Sequence, residues 1–198
     1  MSHGNNFRSL PSGMGGIFRR LLDYNQYAVT TLDSLHRLTH DGMVFNATGK
    51  VTTLANGATL VFLMSVPADV YTHMNRATFT FGKGDVDIVT RKDVVTSSDG
   101  TPLGAAPNAN ETSSNTAGLL LYSAPTITDA GTVLHTGWAP PTATGVGQGT
   151  SVGIMGISQG EEWVMKPSTK YTMSITNNSG EAIAFSYDML FYEVSYVD

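Results

Sequence analysis

Residues 170–197 read KYTMSITNNSGEAIAFSYDMLFYEVSYV, and this stretch decides the fold class. Tyr171, Met173 and Ile175 alternate with Thr172, Ser174 and Thr176. A period of two is that of a strand with one buried face. Asn177, Asn178, Ser179 and Gly180 then supply the chemistry of a tight turn. Residues 182–197 resume the alternation through Ile183, Phe185 and Tyr187, which predicts a long terminal strand.

The same pattern recurs toward the N-terminus. Residues 70–81 alternate well at their end, with Ala77, Phe79 and Phe81 facing one way and Thr78 and Thr80 the other. Strands are also predicted over 59–66, ended by Pro67, over 86–91, and at 132–136, 151–157 and 162–165. Asn56-Gly57, Lys83-Gly84, Ser98-Asp99-Gly100 and Asp129-Ala130-Gly131 read as turns. Residues 30–45 fit two readings: a leucine stripe at helical spacing, or a strand that Asp41-Gly42 turns into a second one. The Asp-Gly pair, a strong hairpin signal, favours strand–turn–strand. Residues 138–150, with two prolines and several glycines, are expected to form a loop, and loops of that length usually make contacts. Nine or ten short strands with closely spaced turns mean an all-β protein, an antiparallel β-sandwich or jelly roll. It spans residues 29–198 as one domain.

Residues 1–28 differ from the rest. The first sixteen are rich in Gly, Ser and Asn and read as an extended arm; residues 17–27, IFRRLLDYNQY, read as a short helix. Phe7, Leu10, Ile17 and Phe18 are candidate apolar anchors on this segment, and Arg8, Arg19 and Arg20 candidate partners for carboxylates.

Of the 198 residues 14% are charged, well below the quarter usual for soluble domains, so much of the surface is expected to lie against other proteins. A net charge of −5 argues against a nucleic-acid partner. The absence of cysteine removes disulfides, thiolate catalysis and Cys-ligated metals. No apolar run approaches a membrane span, and no secretory signal is visible, so synthesis in a cytoplasm and no membrane partner are expected.

Residues 108–132, NANETSSNTAGLLLYSAPTITDAGT, pass from polar residues to the apolar burst Leu119-Leu120-Leu121-Tyr122. Asn108, Asn110, Ser113, Ser114 and Asn115 suit a structured crossing between strands, and equally an oligomer or lattice contact. Four fragments carry a resemblance: residues 36–42 leading into Phe45; Asn108-Ala109-Asn110 with residues 113–117; residues 124–132; and residues 162–166 with Thr169-Lys170-Tyr171. In that order the chain resembles bacteriophage virion structural proteins of the capsid decoration (cement) or head-surface type. The resemblance runs from about Leu35 to the C-terminus and departs at Glu111-Thr112 and in the loop at 138–150. It implies a β-sandwich or jelly-roll subunit without catalysis or cofactor, bound to the major capsid protein on the virion and oligomeric, a homotrimer by fold-level analogy.

Other constellations are weaker. His36 and His40 have ligand spacing on a helix, but no third ligand accompanies them. Asp85 and Asp87 would share one strand face, as carboxylates do in glycosidases, although a solvated face explains them more simply. Glu162 reads as the polar start of a strand. Neither G-x-S-x-G nor a phosphate-cradling glycine loop is present, so no catalytic residue and no metal site is assigned. Trp138, Trp163 and Tyr71, Tyr122, Tyr171, Tyr187, Tyr192 and Tyr196 could form a sugar platform. The alternative function is therefore a receptor- or glycan-binding module of a phage head or tail fibre. Exposed aromatics clustered at one end would favour it.

Overall fold

The computed structural model describes residues 34–141, 150–155 and 162–195, with the backbone alone for residues 34 and 150–155. The expected arm and helix, with Phe7, Arg8, Leu10, Ile17, Phe18, Arg19 and Arg20, lie outside the described residues, as does Tyr196. The chain divides into two compact units, Met1–Arg37 and Leu38–Asp198. Of the first, residues 34–37 are described and begin helix α1 (Ser34–His40). Among its described residues the second holds thirteen strands: β1 Val44–Leu54, β2 Thr59–Ser65, β3 Val70–Phe81, β4 Val86–Lys92, β5 Val95–Ser98, β6 Thr101–Pro102, β7 Leu120–Ser123, β8 Thr126–Asp129, β9 Thr132–Ala139, β10 Thr150–Met155, β11 Trp163–Met165, β12 Lys170–Asn177 and β13 Ile183–Ser195.

One sheet runs β1-β13-β3-β10, with β11 also on β3; the other runs β6-β7-β2-β12-β4-β9. Successive strands cross between them: β1 to β2, β3 to β4, β9 to β10 and β12 to β13. The shared eight, β1-β13-β3-β10 against β2-β12-β4-β9, have the double Greek-key order of a jelly roll. All pairings are antiparallel.

The alternating residues fill the space between the sheets. Phe79, Phe81, Phe185, Met189 and Phe191 come from one sheet, and Phe62, Met64, Tyr171, Met173, Ile175 and Ile88 from the other. Phe62 joins them, its ring centroid 4.9 Å from Tyr187 and 6.2 Å from Phe79. Each such side chain stabilises the fold by about 1.5–3 kcal/mol through its burial. Strand β3 alternates only near its end because Asn75 is bulged: Arg76 pairs with Leu190, but Met74 pairs with Phe191. The extra residue shifts the buried register from Thr72 and Met74 to Ala77, Phe79 and Phe81.

The strand–turn–strand reading of residues 30–45 is corrected over 34–40, which are helical. Gly42, at φ +70°, ends the helix: its N–H bonds Thr39 O at 3.0 Å, and Met43 N–H bonds Leu38 O at 2.9 Å. That pair of bonds is a Schellman motif. A hairpin turn and a helix cap both call for a residue at positive φ, so Asp-Gly alone does not separate them.

The small β5–β8 sheet lies against the outer face of the larger one. Val94 N–H bonds Lys170 O at 3.2 Å. Lys170 Nζ donates to Thr96 Oγ1 at 2.8 Å and Asp99 Oδ1 at 2.5 Å. Leu63 and Thr172, cross-strand partners on that outer face, are fully buried.

Candidate functional site

Residues 108–119 are a clasp. They run along the outer edge of β1, where Asn46 N–H bonds Pro107 O and Ala109 N–H bonds Val44 O. Asn108 Nδ2 reaches Gly42 O at 2.8 Å and Asn115 O at 3.1 Å. Asn110 Nδ2 bonds His40 O, and Asn115 Nδ2 bonds the carbonyls of Asp41 and Gly42. Helix C-terminal carbonyls lack intrahelical partners, and these amides supply them. Asn108 Oδ1 accepts from Asn110 N–H, Asn110 Oδ1 from Thr112, and Ser113 Oγ from Asn115 N–H. The amides of Asn108, Asn110 and Asn115, expected at an oligomer or lattice contact, are thus bonded within this chain. Ser113 packs so close that a Cβ on Gly42 would lie 2.1 Å from its Oγ. Ser114 is exposed.

Glu193 anchors the far end of the clasp. It is only 8% exposed, and its carboxylate accepts N–H groups from Gly118 at 2.7 Å and Leu119 at 2.6 Å. Burial raises its pKa above the ordinary value; the two N–H groups pull the other way, and the nearby charge of Asp69 pushes it up further. The alternation that buries Ile183, Phe185, Met189 and Phe191 also buries residue 193, so the signal for Glu193 was present in the sequence.

On the outer face of the first sheet, Glu162 bridges two strands. His73 Nδ1 donates to Glu162 Oε1 at 2.9 Å and Tyr192 O–H to Glu162 Oε2 at 2.6 Å. The His73 and Tyr192 rings stack at 4.5 Å. Burial works against the Glu162 carboxylate, but the bonds from Tyr192 and His73 outweigh it and lower its pKa. The Tyr192 phenol is pushed up by burial, by donating its O–H to the Glu162 carboxylate and by that carboxylate's negative charge. Glu162 therefore pins β11 to the sheet, a role that periodicity does not signal.

The third constellation lies where β4 meets β9. Asp85 is not on a strand: it sits at φ +67° before β4, and Trp138 Nε1–H donates to its carboxylate at 3.2 Å. Asp87 stands opposite Trp138 across the ladder and accepts from Asn178 Nδ2 at 2.8 Å. The expectation that both carboxylates share one strand face is corrected; they are held by different partners. Trp138 is 55% exposed, and its strand carries two more exposed apolar residues, Val133 and Leu134.

Among the described residues, the tyrosines and Trp163 do not join Trp138 at the surface. Tyr171 is buried, and Tyr71, Tyr122, Tyr187, Tyr192 and Trp163 are half-buried. Tyr187 lies over Gly49, where a Cβ would fall 2.3 Å from its hydroxyl. His135 and Trp163 meet edge-on at 6.1 Å, linking the second sheet's β9 to the first sheet's β11. Among the described residues no group of three or more His, Asp or Glu could hold a metal, and no helix is long and apolar enough to cross a membrane.

These arrangements seal, pin and present surface. The side around β9 is the candidate functional site: an exposed strand beside a fixed, exposed indole, suited to contact with another molecule. No protein-family model, curated protein or solved structure matches the chain.

Proposed function

We propose that this chain is a non-enzymatic virion structural protein, a capsid decoration (cement) subunit that binds and stabilises a lattice of major capsid protein. The observation that carries the reading is the strand order, β1-β13-β3-β10 against β2-β12-β4-β9, an arrangement widely used by virion subunits. The low charge and the sequence resemblance support it. In this reading Phe7, Leu10, Ile17 and Phe18 bury apolar surface on the shell, while Arg8, Arg19 and Arg20 pair with its carboxylates. Binding only the assembled lattice stabilises it by mass action, and many equivalent sites multiply modest contacts. The subunit acts as a homo-oligomer on the capsid surface.

The test is rebinding to stripped particles. The full chain should bind saturably, and deletion of residues 1–28 should abolish binding. Full rebinding by the truncated chain would remove the arm from the account. Changing Arg19 and Arg20 together to Glu should weaken rebinding more at low salt than at high salt. A second reading, a glycan-binding module of a head or tail fibre, draws on one observation: Trp138 is exposed while Asp85 fixes its indole. A glycan array separates the two.

A further inference from the structure

The two large sheets end in five described edge strands, β1, β10 and β11 in one and β6 and β9 in the other; β10 also lacks charge and proline but is two residues shorter than β9. The β1 edge is covered over its first residues by the clasp and carries the exposed Lys50 beyond it. The β6 edge is two residues long and includes Pro102. The β11 edge is three residues long. These are the usual ways of blunting an edge. Strand β9 has eight residues, TVLHTGWA, with no charge and no proline, and β4 is its only partner among the described strands. Its exposed residues include Val133 (45%), Leu134 (40%) and Trp138 (55%). A bulge at Leu134 offsets the start of the strand, since Arg91 pairs with Val133 but Thr90 with His135. The straight run is therefore 135–139.

We propose that β9 is a self-association edge, pairing antiparallel with β9 of a second copy so that the larger sheet continues across a two-fold axis. Charge argues for a second copy. In a two-fold contact each residue near the axis faces its own twin or a close neighbour, so any charged residue there meets a like charge. β9 carries none, and the apolar Val133, Leu134 and Trp138 would gain cover. Backbone N–H and C=O groups on the side of β9 away from β4 give the contact its direction. The proposal rests on the oligomeric part of the reading above and makes it specific. β9 pairing with itself gives a dimer and cannot close the three-fold ring expected from analogy.

The test is sedimentation equilibrium of the full chain, without particles, so its outcome is independent of whether the chain binds a capsid. The wild type should show a monomer–dimer equilibrium. Thr136→Lys, at an exposed position mid-strand, sets two ammonium groups near the axis and should weaken dimerisation by about tenfold or more, with partial recovery in high salt. Thr136→Val should dimerise at least as tightly as the wild type and, with unchanged circular dichroism, shows that the position tolerates substitution. Amides of residues 135–139 should gain hydrogen-exchange protection as concentration rises. A wild type that stays monomeric, or one that forms trimers, would overturn the proposal. So would a dimer that Thr136→Lys leaves intact, or a monomer that instead captures an extended peptide of different sequence.

Discussion

The two long sides of this sandwich are finished in opposite ways. Along β1, residues 108–119 lay backbone and asparagine amides on the sheet edge and on the carbonyls at the end of α1. Along β9, an uncharged strand with an exposed tryptophan pairs with β4 alone among the described strands. Polarity alone would have assigned the roles the other way round. Asparagine and serine look ready for a partner, yet where helix carbonyls end nearby they satisfy the chain itself. The outward-looking strand β9 has neither charge nor proline to protect it.

The clasped side can be broken most severely at Gly42. A valine there must take a left-handed conformation and displace Ser113, whose Cβ lies 2.6 Å from the new Cβ position. Gly42→Val is expected to cost about 2–5 kcal/mol in urea unfolding. An unchanged midpoint would show that the clasp does not hold the helix end. Next comes Asn108→Ala, which leaves carbonyls and an N–H without their amide partner. A loss of about 1–3 kcal/mol is expected, with faster hydrogen exchange at residues 44–46.

Glu193 gives a smaller, pH-dependent effect. Its folded-state pKa is raised, so the folded chain holds the proton more tightly than the unfolded chain does. Its contribution is full below the ordinary value of 4.5 and is lost as pH rises through the folded value. The difference in unfolding free energy between wild type and Glu193→Gln should therefore move against the wild type as pH climbs above 4.5. A difference independent of pH would deny the buried titration.

Asp99 has the opposite sign and the smallest effect. Lys170, then Thr96, hold its pKa below 3.8, so its contribution is present above that value and is lost as pH falls through the lower folded one. Asp99→Asn should loosen the β5–β8 sheet at neutral pH by less than about 1 kcal/mol, because water screens this pair. Hydrogen exchange at residues 95–98 would detect it.

Much of the fold was legible. Tyr171, Met173 and Ile175 face inward as their alternation requires, and so do Ala77, Phe79 and Phe81. Asn56-Gly57 and Asp129-Ala130-Gly131 are turns, with Gly57 at φ +75° and Gly131 at φ +65°. Where reading failed, the cause was a degenerate local signal. Asp41-Gly42 meets the conformational demand of both a hairpin and a helix cap. The bulge at Asn75 breaks the alternation in the first half of β3, although residues 70–81 read as one strand and form one. Strand β9 runs through Trp138 to Ala139, three residues past the expected end, because pairing with Val86 and Asp87 holds a stretch whose composition suggests loop. The candidate site was less legible than the fold. Glu193 falls on the buried period of β13, but its N–H partners, like the partners of Glu162, are set by long-range pairing, and an edge strand differs from a central one only in its neighbours.

The central claim is that this jelly roll works by lying against other proteins. Quantitative rebinding of the full chain to stripped particles tests it most directly. The account predicts saturation at a fixed copy number per particle and a rise in the shell's melting temperature on saturation. A chain that never exceeds background binding, leaves the melting temperature unmoved and instead retains a glycan would contradict it.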